Sequence, residues 1–287
     1  MTAKVSRKKE YVELYEPMLN KWIAVSVSPI FDQSGEIVKL IHVIHDITER
    51  KLAEQRLKEL MDIKSEFISM VSHELRTPLT AIKEGINIVL DGSSGPVNDD
   101  QKNFLNLAKR NLDRLARLIN DVLDFQKLES GKVQFNIQIN DINIIVKEVC
   151  ETMSSLAQKK GLGIGVKLDE GLPQVKFDRD KITEVLTNII SNAIKYTTHG
   201  NIMVTTRRNT DSIQVSVQDN GPGINSDDLP RLFRQFEQLE TGVKRKPGSS
   251  GLGLAISKQI IDKHNGKIWA DSQIGKGSVF SFILPIA

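Results

Sequence analysis

Residues 47 to 130 constrain this chain most, because they read as two long amphipathic helices and little else. Leu57, Leu60, Ile68, Val71, Leu75, Leu79, Ile82, Ile86 and Val89 recur at helical spacing, with one wider gap bridged by Lys64 and Phe67. The run "DGSSGPVNDD" (91–100) is rich in helix breakers. Beyond it Ala108, Leu112, Leu115, Ile119 and Val122 repeat the pattern. Two such helices joined by a short loop form an antiparallel hairpin. A hairpin alone leaves an apolar stripe exposed, so a second copy is expected to complete a dimeric four-helix bundle.

The flanking segments differ in texture. Residues 1–46 read as strands, with "WIAVSVSPI" and "IVKLIHVIHDI" joined by the turn "DQSGE". So short a stretch makes a poor core by itself, so it is expected to be part of a larger sheet. Residues 131–287 alternate elements. "VQFNIQI" reads as a strand, and a helix follows with Asp141 as N-cap and Gly161 as stop. "IGVKL" and "QVKFD" are short strands, and "DRDKITEVLTNIISNAIKYT" is a second helix. "NIMVTTRR", "SIQVSVQDN", "KIWADS" and "SVFSFILPI" are strands, with a helix over "GLGLAISKQIIDKHNG". The expected fold class is therefore multidomain, α and α+β, ending in an α/β sandwich with helices on one face of a mixed sheet.

Composition excludes several functions. A net charge of only +3 does not suggest a nucleic-acid partner, whose binders normally show a concentrated basic face. One cysteine, Cys150, permits neither an internal disulfide nor a cysteine metal site, and fits a reducing, cytoplasmic setting. No run of about 18 apolar residues offers a membrane span.

Within the first helix lies "SHELRTPL" (72–79). His73 is two residues from both Val71 and Leu75, and two steps of about 100° turn it away from the apolar stripe. It is expected to be exposed. A neutral imidazole carries a free ring nitrogen as nucleophile. Arg76 has two candidate partners, Glu74 and phosphate. Pro78 removes a backbone N–H and crowds the carbonyl of Glu74, so the helix is expected to bend beside His73.

Glycine-rich loops mark the third segment. "DNGPGI" (219–224) follows a strand and "GSSGLGL" (248–254) opens a helix. Glycines let backbone approach a ligand, and a helix N-terminus offers N–H groups to phosphate. Asp219, at a strand end, could accept a hydrogen bond from the amino group of adenine. Asn188, Asn192 and Lys195 share one helix face, either as a solvated surface or with amide oxygens facing Mg²⁺ and an ammonium facing phosphate.

In order and spacing, "SHELRTPL", "NIISNAIKYT", "DNGPGI", "LFRQF" and "GSSGLGL" resemble the sensor histidine kinases of two-component signalling, over about residues 47–287. The segment "W…SGEIVKLIHVIHDITERK" resembles the C-terminal part of a PAS sensor domain, with Asp46, Ile47 and Thr48 as its exit motif. His42 and His45, three apart in a β run, are read as sheet positions. The domains expected are thus a partial PAS-like segment (1–46), a dimerisation and phosphotransfer hairpin (47–130) and a catalytic ATP-binding domain (131–287).

The resemblance implies an ATP-dependent kinase that phosphorylates His73 and passes the group to an aspartate on a response regulator receiver domain, with phosphatase activity toward that partner. Glu74 would handle the imidazole proton, and Thr77 would orient water in the reverse reaction. Asn188 and Asn192 would hold Mg²⁺ and the triphosphate. Lys195 and Tyr196 would meet the nucleotide. Asp219 would select adenine, with Gly221 and Gly223 shaping its pocket. Gly251, Leu252 and Gly253 would line the phosphate end of a lid anchored by Phe233 and Phe236. Many members carry a lid arginine where Gln238 stands, and Lys244, Arg245 and Lys246 are the other cations there.

Overall fold

The computed structural model describes residues 10–237 and 250–286. The chain divides into two compact units, Met1–Glu66 and Phe67–Ala287.

The first unit holds an antiparallel meander of β1 (Glu10–Glu16), β2 (Lys21–Phe31) and β3 (Ile37–Asp46), with β2 in the middle. The "DQSGE" turn closes on Asp32, whose Oδ1 accepts the N–H groups of Ser34 and Glu36 at 2.9 and 3.0 Å. Gly35 takes φ +82°, a conformation that suits a residue with no Cβ. The exit motif caps the helix α1 (Thr48–Leu90). Asp46 accepts the Thr48 N–H at 3.0 Å and pairs with Lys21 at 2.7 Å, while Thr48 Oγ1 accepts the Trp22 N–H at 3.0 Å. Glu13 on β1 meets Lys51 at 2.7 Å and Arg50 at 2.5 Å, and these partners hold its carboxyl down to about 2. The three strands fit the expected partial PAS-like segment. His42 and His45 stand exposed on β3, opposite Val27 and Ala24.

In the second unit α1 continues through Pro78 without ending there. After the loop, α2 (Asp99–Glu129) opens on a capping box. Asn98 Oδ1 accepts the Gln101 N–H at 2.8 Å, and Gln101 Oε1 accepts the Asn98 N–H at 2.9 Å. Two contacts set the hairpin register: Arg76 donates to Asn120 at 3.0 Å, and Lys83 pairs with Asp113 at 2.7 Å. Seven residues forward on one helix match seven backward on the other, so the helices are antiparallel. Arg76 therefore binds a neighbouring helix, not Glu74. Leu75, Ile82 and Leu115 of the expected stripe remain 46%, 52% and 44% exposed in the single chain.

The rest of this unit is a helical layer over a mixed sheet. The helices are α3 (Ile142–Gln158), α4 (Arg179–Tyr196) and α5 (Gly253–Lys263). A two-stranded piece pairs β4 (Gln138–Asn140) with β6 (Val175–Phe177). The main sheet contains β5 (Gly163–Lys167), β7 (Asn201–Arg208), β8 (Ser212–Asp219), β9 (Lys267–Gln273) and β10 (Gly277–Pro285), in the order β5-β7-β8-β10-β9. Among the described residues of this sheet β5–β7 is the one parallel pair. Ile202, Val204, Ile213, Val215 and Val217 alternate onto the face that the helices cover. Ile182, Leu186, Ile189 and Ile190 make the buried stripe of α4, each contributing about 1.5–3 kcal/mol by burial.

"VQFNIQI" forms a strand only from Gln138 onward. Upstream, the Asn136 N–H is taken by Asp178 Oδ2 at 2.7 Å, and Phe135 packs edge-on against His264. That backbone is held by a side chain and so does not ladder. Asp178 also caps α4, its Oδ1 accepting the Lys181 N–H at 3.0 Å. Its own N–H goes to buried His264 Nε2 at 3.0 Å, and His264 Nδ1 lies 2.7 Å from the Ile260 carbonyl. With Nε2 accepting, Nδ1 is the nitrogen placed to donate to that carbonyl.

Candidate active site

A cavity of about 750 Å³ runs along α4. Asn188, Asn192, Lys195 and Tyr196 line it from that helix. Asp219 and Gly223 close one end, Gly251 and Gly253 flank it, and Arg114, Arg117 and Asp121 reach it from α2.

Asp219 ends β8 with 5% of its surface exposed. Its Oδ1 accepts the Gly221 N–H at 2.7 Å. Burial pushes its carboxyl above the ordinary range, partly offset by the N–H groups of Gly221 and Ser278. A carboxylate offers about four acceptor sites. Acceptor capacity therefore remains on the side that lines the cavity, which suits an amino group. Gly223 has φ +74°, and any Cβ there would run into the Gln273 backbone.

Asn188 Nδ2 donates to Ser257 Oγ of α5 at 2.9 Å. That bond fixes the amide plane. A Cβ on Gly253 would stand 2.5 Å from Asn188 Oδ1, so glycine is what lets α5 approach. Lys195 Nζ lies 5.1 Å from the centre of the Tyr196 ring. Among the described residues no group of three or more His, Cys, Asp or Glu is placed to hold a metal. A cation here would need amide oxygens and the oxygens of a ligand, a donor set that fits Mg²⁺ delivered with phosphate.

Gly221, Leu252 and Phe236 do not line the cavity. Gly221 holds Asp219, and Leu252 is buried in the core behind. Phe236 is 62% exposed at φ +57°, an unusual conformation for an aromatic residue. Its backbone lies against Gly251, and Phe233 packs on the core. Gln238, Lys244, Arg245 and Lys246 lie outside the described residues.

On α1, the His73 side chain is 75% exposed and its Nδ1 lies 3.9 Å from Glu74 Oε1. Thr77, one turn along, is exposed as well. An imidazole with one nitrogen beside a carboxylate and the other toward solvent can act as a nucleophile.

Residues 63–131 match the His Kinase A (phospho-acceptor) domain, and residues 177–287 match the Histidine kinase-, DNA gyrase B-, and HSP90-like ATPase. Together these cover more than half of the chain. The chain belongs to the histidine kinases. Within that family it is 34% identical over 270 residues to the "Sensor histidine kinase WalK" of Bacillus subtilis (strain 168), covering 92% of this chain and 42% of that protein. Among solved structures it resembles ShkA, full-length in complex with AMPPNP, with a TM-score of 0.67 and 28% identity. That match covers 77% of this chain and 46% of ShkA. It also resembles histidine kinase ThkA in complex with response regulator protein TrrA, with a TM-score of 0.57 and 25% identity over 96% of this chain and 79% of that one. The chain spans 42% of that WalK and 13 to 61% of the length of three other curated histidine kinases. No described helix is long and apolar enough to cross a membrane.

Sequence reading of this histidine kinase overlooked Ser257, Arg114, Arg117 and Asp121. Ser257 stands four residues after Gly253 and could have been found as the next turn of the same helix face. The α2 residues, at i, i+3 and i+7, share one face with nothing local to connect them to a nucleotide.

Proposed function

We propose that this chain binds Mg-ATP in the α4 cavity, phosphorylates its own His73 and passes the phosphoryl group to an aspartate of a response regulator. The observation that carries this reading is the fixed Asn188 amide beside glycine-lined backbone, with an exposed His73 in the same chain whose Nδ1 stands 3.9 Å from Glu74 Oε1. In the first step His73 Nε2 bonds to the γ-phosphorus while the bond from that phosphorus to the bridging oxygen breaks. ADP leaves with that electron pair, and the Nδ1 proton passes to Glu74. In the second step a carboxylate oxygen of the regulator attacks the phosphorus, the N–P bond breaks, and the imidazole regains its proton.

Asp219 accepts the amino group of adenine, Gly221 holds Asp219 in place, and Gly223 lets the base approach. Bound Mg²⁺ supplies charge neutralisation for the phosphates, and Asn188 and Asn192 are the residues that would hold it. Lys195 adds positive charge, Tyr196 flanks the nucleotide, and Gly251, Leu252 and Gly253 shape the phosphate end. Phe236 stands outside the cavity and meets Gly251 through its backbone. Thr77 shares the exposed face of His73 and orients the water that hydrolyses the phosphorylated regulator.

The exposed apolar residues of the hairpin support a homodimer closed as a four-helix bundle. The strands of the first unit are read as the end of a PAS-like sensor. ATP and a response regulator as partners would fit a cytoplasmic reaction.

Peptide mass spectrometry at neutral pH after incubation with Mg-ATP tests the reading. Phosphate is expected on the peptide that contains His73. Phosphate confined to serine or threonine peptides would contradict it.

A further inference from the structure

The cavity has a wall that its nucleotide-binding motifs do not explain. Arg114 and Arg117, three residues apart on one face of α2, line it opposite Asp180 and Glu184 of α4. Arg114 Nε is buried and has no hydrogen-bond partner among the described residues. A buried donor left unsatisfied is destabilising, which is a reason to expect a ligand. Arg117 is close enough to Asp121 to oppose the rise of that carboxyl, and Asp121 is hydrogen-bonded to Ser250. The Ser250 Oγ in turn accepts the Leu252 N–H at 3.1 Å, so α2 meets the glycine segment directly.

Position along α4 identifies the ligand group. Tyr196 lies by Asp219, where a Cβ on Gly221 would contact the Tyr196 carbonyl at 3.5 Å. Asn188 is about 12 Å back along the helix, and Glu184 about 6 Å further. A nucleotide lying along α4 with its base at Asp219 thus carries its last phosphate toward α2. A guanidinium suits that end, because its forked donors match phosphate oxygens.

We infer that Arg114, assisted by Arg117, binds the terminal phosphate of the nucleotide, so that the hairpin distinguishes ATP from ADP. This rests on the nucleotide reading above. ATP holds the hairpin and the ATP-binding layer together through these side chains, and ADP lacks the group they grip.

Calorimetric titration of the intact chain with AMPPNP and with ADP, both with Mg²⁺, tests this in wild type, Arg114→Gln and Arg117→Gln. Arg114→Gln is expected to weaken AMPPNP about tenfold, the size of one charge-assisted hydrogen bond, and ADP less than about twofold. Arg117→Gln shifts the ratio the same way by less. The ratio is read within each variant, so a lower folded fraction cancels. Equal weakening of both nucleotides, or none, would overturn the inference while leaving the nucleotide site standing. Wild-type protein that bound neither nucleotide would overturn the site itself and this inference with it.

Discussion

Asn188 gives its amide nitrogen to Ser257 at 2.9 Å, and its oxygen is thereby turned toward the space that Gly253 leaves open. One hydrogen bond between α4 and α5 thus orients the group expected to face the cation. Ser257→Ala releases the amide at a stability cost of about 1 kcal/mol. The expected outcome is a severalfold loss of Mg-ATP affinity with a small change in melting temperature. Gly253→Ala, which would crowd the same oxygen, is expected to lose more than tenfold. Calorimetry and thermal melts on the two variants check both.

Asp219 makes folding stability depend on pH. Burial raises its folded-state pKa above the unfolded value. The native state therefore holds more protons in that window, and stability falls as pH rises through it. Asp219→Asn should remove this dependence and leave the fold no less stable at neutral pH. It should also weaken ATP binding about tenfold and narrow the preference for ATP over GTP, because the charged acceptor for the adenine amino group is gone. Urea melts across the acid range, with nucleotide titrations at neutral pH, measure the two effects separately.

Much of this was legible in the chain itself. Asp141 and Gly161 bracket α3 because an N-cap acceptor and a left-handed stop are local chemistry. The alternation in "SIQVSVQDN" placed Asp219 at a strand end for the same reason. What stayed hidden is non-local. Asp178 draws Asn136 out of a strand from 42 residues away, and Arg114 reaches the cavity from another layer. The exposure of Phe236 was also illegible, since it depends on how the lid backbone meets Gly251.

His264 ties α5 to the start of α4 through the Asp178 N–H. His264→Ala strands that donor and opens space in the core, and should destabilise the ATP-binding layer by about 2–4 kcal/mol. His264→Gln, which can still accept at that position, should recover part of the loss. Denaturant melts of both variants decide it; equal losses would mean that packing, not the hydrogen bond, is what matters.

Pro78 sits inside α1, five residues beyond His73, where it denies the Glu74 carbonyl its helical donor. Pro78→Ala restores that donor and stiffens the helix. The expected result is an altered ratio of kinase to phosphatase activity with ATP affinity unchanged. Parallel changes in both would contradict a role for the proline in positioning the histidine.

If the α4 cavity supplies phosphate to His73, incubating wild type, His73→Ala and Asn188→Ala with γ-labelled ATP shows it. Wild type is expected to carry acid-labile, alkali-stable label. His73→Ala, which still binds nucleotide, is expected to carry none, and so is Asn188→Ala, which keeps its acceptor. Undiminished label on His73→Ala, or wild-type label that survives acid, would contradict that supply.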